Sequence, residues 1–233
     1  MTKISFFVEG QTERIFLEKF LSEYFGIIKV TIKSNKLIGD KTHQIRARKI
    51  NSNTEVYVLI YEVMNGDKVV SEVLDRAERM IKVGYRQLLA LRDLYPKKIE
   101  EKDRIINATL KEFNKSQFAD KLKHILAIME IEAWFLADYK LFEKIDKRLT
   151  TQFINHNSGL DLMNTDPETY PHPAKIIDTI LKIVGKSYKK HEEQSYNIIH
   201  NINYEFLYCG GVSNKIKSFF YFLKCIDEGI ASN

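Results

Sequence analysis

Glu9, Asp93, Glu130 and Glu132 each stand at the end of an apolar, strand-like run, and Glu62 closes another. In an open parallel sheet the carboxyl ends of the strands are where ligands bind. Several carboxylates drawn there from different strands make an oxygen-rich cluster suited to a hard cation such as Mg2+ or Mn2+. Held by such a cluster, the ion can polarise a phosphodiester and lower the pKa of a bound water, with one carboxylate serving as general base or acid. Glu9 is the strongest candidate, because Gly10 follows it and lets a substrate backbone approach. Asp93 is the second. Glu130 and Glu132, two residues apart on a backbone read as extended, point the same way and complete the expected metal set. Buried like charges repel unless a positive group joins them. Glu9, Asp93 and Glu130 or Glu132 are therefore expected to share one cation site. Gly10, Glu13 and Glu62 are candidates for the lining of its pocket.

These acids need elements to position them. Ile4, Phe6, Phe7 and Val8 read as a buried strand, and Ile15, Phe16, Phe20 and Tyr24 follow at helical spacing, with Thr12 as a candidate cap. Val30 and Ile32 alternate with polar residues as in a half-exposed strand, and residues 55–61 are dense in β-formers. A helix from Val69 to Ile81 is stopped by Gly84, a strand covers 87–91, a helix runs roughly over 99–113, and a last strand covers 124–129. Strand and helix alternate, which predicts an α/β fold with a mainly parallel, helix-covered sheet over residues 1–138. Residues 139–233 read as a helical C-terminal region, with helices after Pro171-His172-Pro173 and after Gly210-Gly211. Trp134 and the Phe219–Phe222 run read as core rather than as base-stacking surface.

The chain has 233 residues, 44% of them hydrophobic, and a net charge of +5. Seven basic residues between Lys29 and Lys49 face a single acid, Asp40, so that window is +6 and the remainder about −1. Lys36, Lys41, Arg46, Arg48 and Lys49 are the candidate contacts to a nucleic-acid backbone. A solvated surface loop and a dock for an acidic partner are the other readings. Two cysteines without a CxxC, and six scattered histidines, argue against zinc or a disulfide framework. No Walker A sequence occurs, so an ATPase activity has to come from a partner. No run of 18 apolar residues occurs, which excludes a membrane span and points to the cytoplasm.

Val8-Glu9-Gly10-Gln11-Thr12-Glu13 resembles the first motif of TOPRIM domains, the metal-binding fold of topoisomerases, primases and OLD-type nucleases. Asp93-Leu94-Tyr95-Pro96 is similar to the second acidic motif of that family, with Tyr95 where Asp-x-Asp has its second carboxylate. The stretch from Glu130 to Asp138 is similar to a later acidic stretch of small TOPRIM-like nucleases. The resemblance covers about residues 3–138 and assigns the absent ligand to Glu130 or Glu132. It implies a TOPRIM-like sheet and a Mg2+- or Mn2+-dependent nuclease acting on DNA or tRNA. It further implies an anti-phage effector of the PARIS type, restrained by an AAA- or ABC-type ATPase. The alternative is a non-catalytic subunit on the same fold that binds an ATPase or nucleic acid; the missing second acid at Tyr95 is its support.

Overall fold

The structure is a computed structural model, and it describes residues 1–39, 41–209 and 216–231. Asp40 and the Gly210-Gly211 pair lie outside the described residues. By its internal contacts the chain forms two compact units. The first comprises Met1–Arg92, Glu100–Leu126 and Tyr221–Asn233, and the second Asp93–Ile99 and Ala127–Phe220.

The first unit is built on a six-stranded, mostly parallel sheet. Its strands are β1 (Thr2–Val8), β2 (Val30–Ile38), β3 (Lys41–Ala47), β4 (Val56–Glu62), β5 (Tyr85–Asp93) and β6 (Leu122–Ala127), in the order β3-β2-β4-β1-β5-β6. β1 pairs in parallel with β4 and β5, Val8 standing opposite Glu62 on one side and Leu91 on the other. A parallel strand in the middle of a sheet is covered on both faces, so it carries a continuous apolar run. That is why Ile4, Phe6, Phe7 and Val8 are all buried. Phe7 packs with Leu59, Tyr61, and Val69, Val73, Ala77 and Met80 of helix α2 (Val69–Lys82), and with Phe113 of α3 (Lys102–Phe113). On the opposite face Phe6 meets Phe222, whose ring also lies 6.2 Å from Phe16 and 5.2 Å from Phe20 of α1 (Gln11–Phe25).

Two features of this unit depart from expectation. β2 is longer and more buried than a half-exposed strand, because it lies between β4 and β3 rather than at the edge. Most of the basic segment is strand: Lys33 and Lys36 lie on β2, residues 41–47 form β3, an antiparallel edge strand exposed along its whole length, and Arg48 and Lys49 follow it. Alternation cannot reveal a strand that buries neither face.

The second unit is helical, and no strand is described after Ala127. It holds α4 (Glu132–Leu136), α5 (Leu141–Ile145), α6 (Thr151–Ser158), α7 (Pro173–Lys182), α8 (Glu192–Asn201), α9 (Tyr204–Cys209) and the first residues of α10 (Lys217–Ile230). Trp134 is its anchor. The indole is fully buried, meets the tilted ring of Phe219 at 5.3 Å and donates to Ser218 Oγ at 2.8 Å. Among the described residues no helix is long and apolar enough to cross a membrane.

His124 on β6 is buried, and neither ring nitrogen has a hydrogen-bond partner among the described residues. Burial, and secondarily the Arg92 guanidinium, push its pKa down from 6.5 to about 4. Folded His124 is thus neutral at pH 7, while the unfolded chain takes up a proton as pH falls through 6.5. Stability is fully present above pH 6.5 and declines toward pH 4, below which this group contributes no further loss; the shift amounts to about 3 kcal/mol. Urea unfolding between pH 4 and 7 is expected to show that slope in the natural chain and its loss in His124→Leu. An unchanged slope in the variant would assign the pH dependence elsewhere.

Candidate functional site

In the first unit Glu9 directly follows the central strand, where Val63 N–H donates to the Val8 carbonyl at 2.9 Å. The half-buried Glu9 carboxylate lies against Gly66, so close that a Cβ there would sit 2.7 Å from Glu9 Cδ. Glycine at 66 is therefore a matter of room for Glu9. The turn is held by Asn65 Oδ1, which accepts from Asp67 N–H at 2.9 Å, and Met64 before it takes a left-handed φ of 65°. Gly10, expected to admit substrate, is the N-cap of α1 in extended conformation, with φ −151°. Thr12, expected as a cap, lies inside the helix. Glu13 reaches back instead and accepts from Gly10 N–H at 3.0 Å, satisfying one orphan donor of the helix start.

Glu62 is the hub of a buried ion-pair network. Arg14 Nε donates to Glu62 Oε2 at 2.8 Å and Arg14 also donates to Glu18 at 3.1 Å, with Arg14 only 4% and Glu62 only 2% exposed. Burial alone would lower the Arg14 pKa; the two carboxylates outweigh it and raise it. Two residues of the basic segment feed the same network: Lys36 lies 3.4 Å from Glu62 Oε1 and Arg46 3.0 Å from Glu18 Oε2. Lys41 and Lys49 are exposed and Arg48 is half-buried.

The second unit gathers Asp93, Glu130 and Glu132. Glu130 and Glu132 do not share an extended strand. β6 ends at Ala127, Met129 turns with φ 59°, and Glu132 opens α4. What unites them is Lys190. Each carboxylate gives one oxygen to a neutral donor and the other to the Lys190 ammonium. Asp93 Oδ1 accepts from Ile131 N–H at 2.9 Å, Glu130 Oε2 from Ala174 N–H at 2.9 Å, and Glu132 Oε1 from Tyr188 O–H at 2.8 Å. Lys190 Nζ then lies 3.9 Å from Asp93 Oδ2, 3.0 Å from Glu130 Oε1 and 2.9 Å from Glu132 Oε2. The three acids are 8%, 6% and 0% exposed respectively.

Surrounding elements hold this arrangement. Ala174 is in the first turn of α7, whose N-terminus favours the Glu130 charge. The segment before α8 is pinned by Asp178, which accepts from Tyr188 N–H at 2.9 Å and lies 3.6 Å from Lys189 Nζ. Burial and the Glu132 charge push the Tyr188 pKa far up, so its hydroxyl remains a donor. Lys190 itself has a left-handed φ of 57°.

A divalent ion is what the sequence expects among these acids. Among the described residues no group of three or more His, Cys, Asp and Glu side chains is arranged as a metal cage. By type, carboxylate oxygens are nevertheless the donors that hard cations take. Three carboxylate oxygens face one position, and Glu132 Oε2 is buried with no hydrogen bond. That position is filled by an ammonium. Lys190 and Tyr188 were not found by reading the sequence: they lie in a short polar segment, Ser187–Glu193, with no periodicity or motif.

Glu62→Ala should destabilise the protein by about 3 kcal/mol, because it removes the carboxylate that accepts from the buried Arg14 guanidinium at 2.8 Å. Urea unfolding at pH 7 checks this. A loss under about 0.5 kcal/mol, the range of exposed pairs, would show that the network relaxes to water when opened.

No curated protein and no solved structure matches this chain. A family model described as "Domain of unknown function (DUF4276)" matches residues 8–209. That span runs from the last residue of β1 to the end of α9 and includes every acid discussed above, together with Lys190, so the chain belongs to the DUF4276 family.

Proposed function

We propose that the protein is a metal-dependent nuclease that cleaves nucleic-acid phosphodiesters. The observation that carries this reading is the convergence of three carboxylate oxygens, from Asp93, Glu130 and Glu132, on one cation position. Asp93, Glu130 and Glu132 would hold Mg2+ or Mn2+. The ion, when bound, would supply electrophilic stabilisation of phosphate charge and an acidified water. Ile131 N–H, Ala174 N–H and Tyr188 O–H orient the three carboxylates by occupying their outward oxygens, which leaves the inward ones for a cation. Left-handed residues at Met64, Met129 and Lys190 adjoin the acidic motifs, and such strain collects at functional sites.

Nucleic acid as substrate is supported by the exposed basic strand β3. Partnership with an AAA- or ABC-type ATPase, and a place in anti-phage defence, rest on the TOPRIM resemblance of the motifs around Glu9 and Asp93. A second reading has its own support. With Lys190 present the acids are partly neutralised within the protein, as in a structural cluster, and the chain would then be a non-catalytic binding subunit.

Cleavage of plasmid, single-stranded DNA and total tRNA, in Mg2+, Mn2+ or EDTA, separates the two. Metal-dependent cutting is expected, reduced about a hundredfold or more by Asp93→Ala or Glu132→Gln. Gly66→Ala and Glu9→Ala test Glu9 without and with loss of its charge, and both should lower the rate. Cutting that persists in EDTA, or that ignores Asp93→Ala, would remove the proposal.

The basic strand is best tested at Lys41, Arg48 and Lys49, since a Glu at position 46 would face buried Glu18 and confound binding with folding. Reversing these three should weaken DNA binding at low salt. It should also flatten the dependence of log affinity on log salt by about 0.9 for each phosphate that the protein no longer neutralises. An unchanged salt slope would make β3 and the two basic residues after it a solvated edge.

A further inference from the structure

We infer that Lys190 is a built-in cation that competes with a divalent metal ion for Asp93, Glu130 and Glu132, so that metal binding expels its ammonium from the cluster. This rests on the metal-binding reading proposed above. The inward oxygens of all three acids face Lys190 Nζ at 2.9–3.9 Å, which is the place a shared metal has to take. An ammonium and a divalent ion repel at such range, so the two do not occupy it together.

The need for a cation is built in. Glu132 is fully buried, and its Oε2 accepts no hydrogen bond, leaving the Lys190 ion pair to compensate its charge. The Lys190 ammonium is shared among three carboxylates, whose outward oxygens accept from Ile131, Ala174 and Tyr188. A divalent ion compensates more of that charge than an ammonium and coordinates several oxygens at once.

The route out is also present. The Lys190 side chain is 35% exposed and its stem is flexible, whereas the backbone on its N-terminal side is held by Asp178 through Tyr188 N–H and by Gln194 Oε1, which accepts from Lys189 N–H at 2.6 Å. The ammonium can therefore leave without the segment unfolding. Once expelled it remains tethered beside the metal, placed to meet an anionic substrate.

The test uses the full chain and Mn2+ alone, by calorimetry and by thermal unfolding in chelator. Lys190→Gln should melt below the natural chain in chelator, having lost the cation of the cluster. It should bind Mn2+ about tenfold or more tightly than the natural chain and gain more melting temperature from it. Lys190→Arg keeps the charge and should bind Mn2+ much as the natural chain does, while Glu132→Gln should abolish binding and so locate the site. If Glu132→Gln abolishes binding but Lys190→Gln binds no more tightly, competition is overturned and the metal reading stands. No Mn2+ binding by any variant overturns both. Should Lys190→Gln fail to fold, Mg2+ titration of the natural chain decides. The Lys190 Hε–Cε resonance should sharpen to that of a solvated side chain at saturation, and an unmoved resonance overturns the inference.

Discussion

Carboxylates taken out of water must meet positive charge or hydrogen-bond donors, and each unit of this protein is organised around meeting that requirement. In the first unit the compensation is ample. Arg14 lies between Glu62 and Glu18, and Lys36 and Arg46 reach the same two acids from the β2–β3 hairpin. In the second unit one ammonium is shared. Three acids turn one oxygen each toward a single ammonium, and their other oxygens are held by two backbone N–H groups and a tyrosine. Glu62 and Glu18 meet three basic side chains, whereas Asp93, Glu130 and Glu132 share the Lys190 ammonium.

The sheet explains why acids occur at these places in the sequence. β1 is covered on both faces, so its apolar run ends abruptly where the chain leaves the sheet, and Glu9 is the first residue outside. β4 closes with Glu62 and β5 with Asp93 in the same way. The acids at strand ends nevertheless have different immediate surroundings. Glu9 lies against the Gly66 turn, Glu62 is locked to Arg14, and Asp93 caps Ile131 while facing Lys190. A position at a strand end selects candidates; the partner that each one meets decides its chemistry.

The basic segment illustrates the same separation. Its excess of charge is a property of composition and is spread in the structure over β2, the exposed edge strand β3 and the residues that flank them. Lys and Arg on an edge also prevent pairing with other chains, which is a second use of the same residues. Arg46 and Lys36, which read as equivalent to their neighbours, are tied inward to buried acids. Lys41, Arg48 and Lys49 are left as the residues whose charge projects a field outward.

Much of the fold was legible in the sequence because it rests on local periodicity. The buried run at residues 4–8, the helical spacing from Ile15 to Phe20, the Gly84 stop and the loss of strands after β6 all follow from patterns a few residues long. The strand β3 was not legible, since with neither face buried it has no alternation. Nor was the turn at Met129, where a left-handed backbone replaces the extended one assumed for Glu130 and Glu132. By itself, then, the sequence determined the α/β class, the central strand and which acids stand at strand ends. Tertiary structure alone decided that Glu62 meets Arg14, that Glu13 serves its own helix, and that Lys190, 58 to 97 residues distant along the chain, sits among Asp93, Glu130 and Glu132. The physical reason is range: periodicity records which face of an element is buried, but an ion pair records where two distant segments meet, and no spacing encodes that.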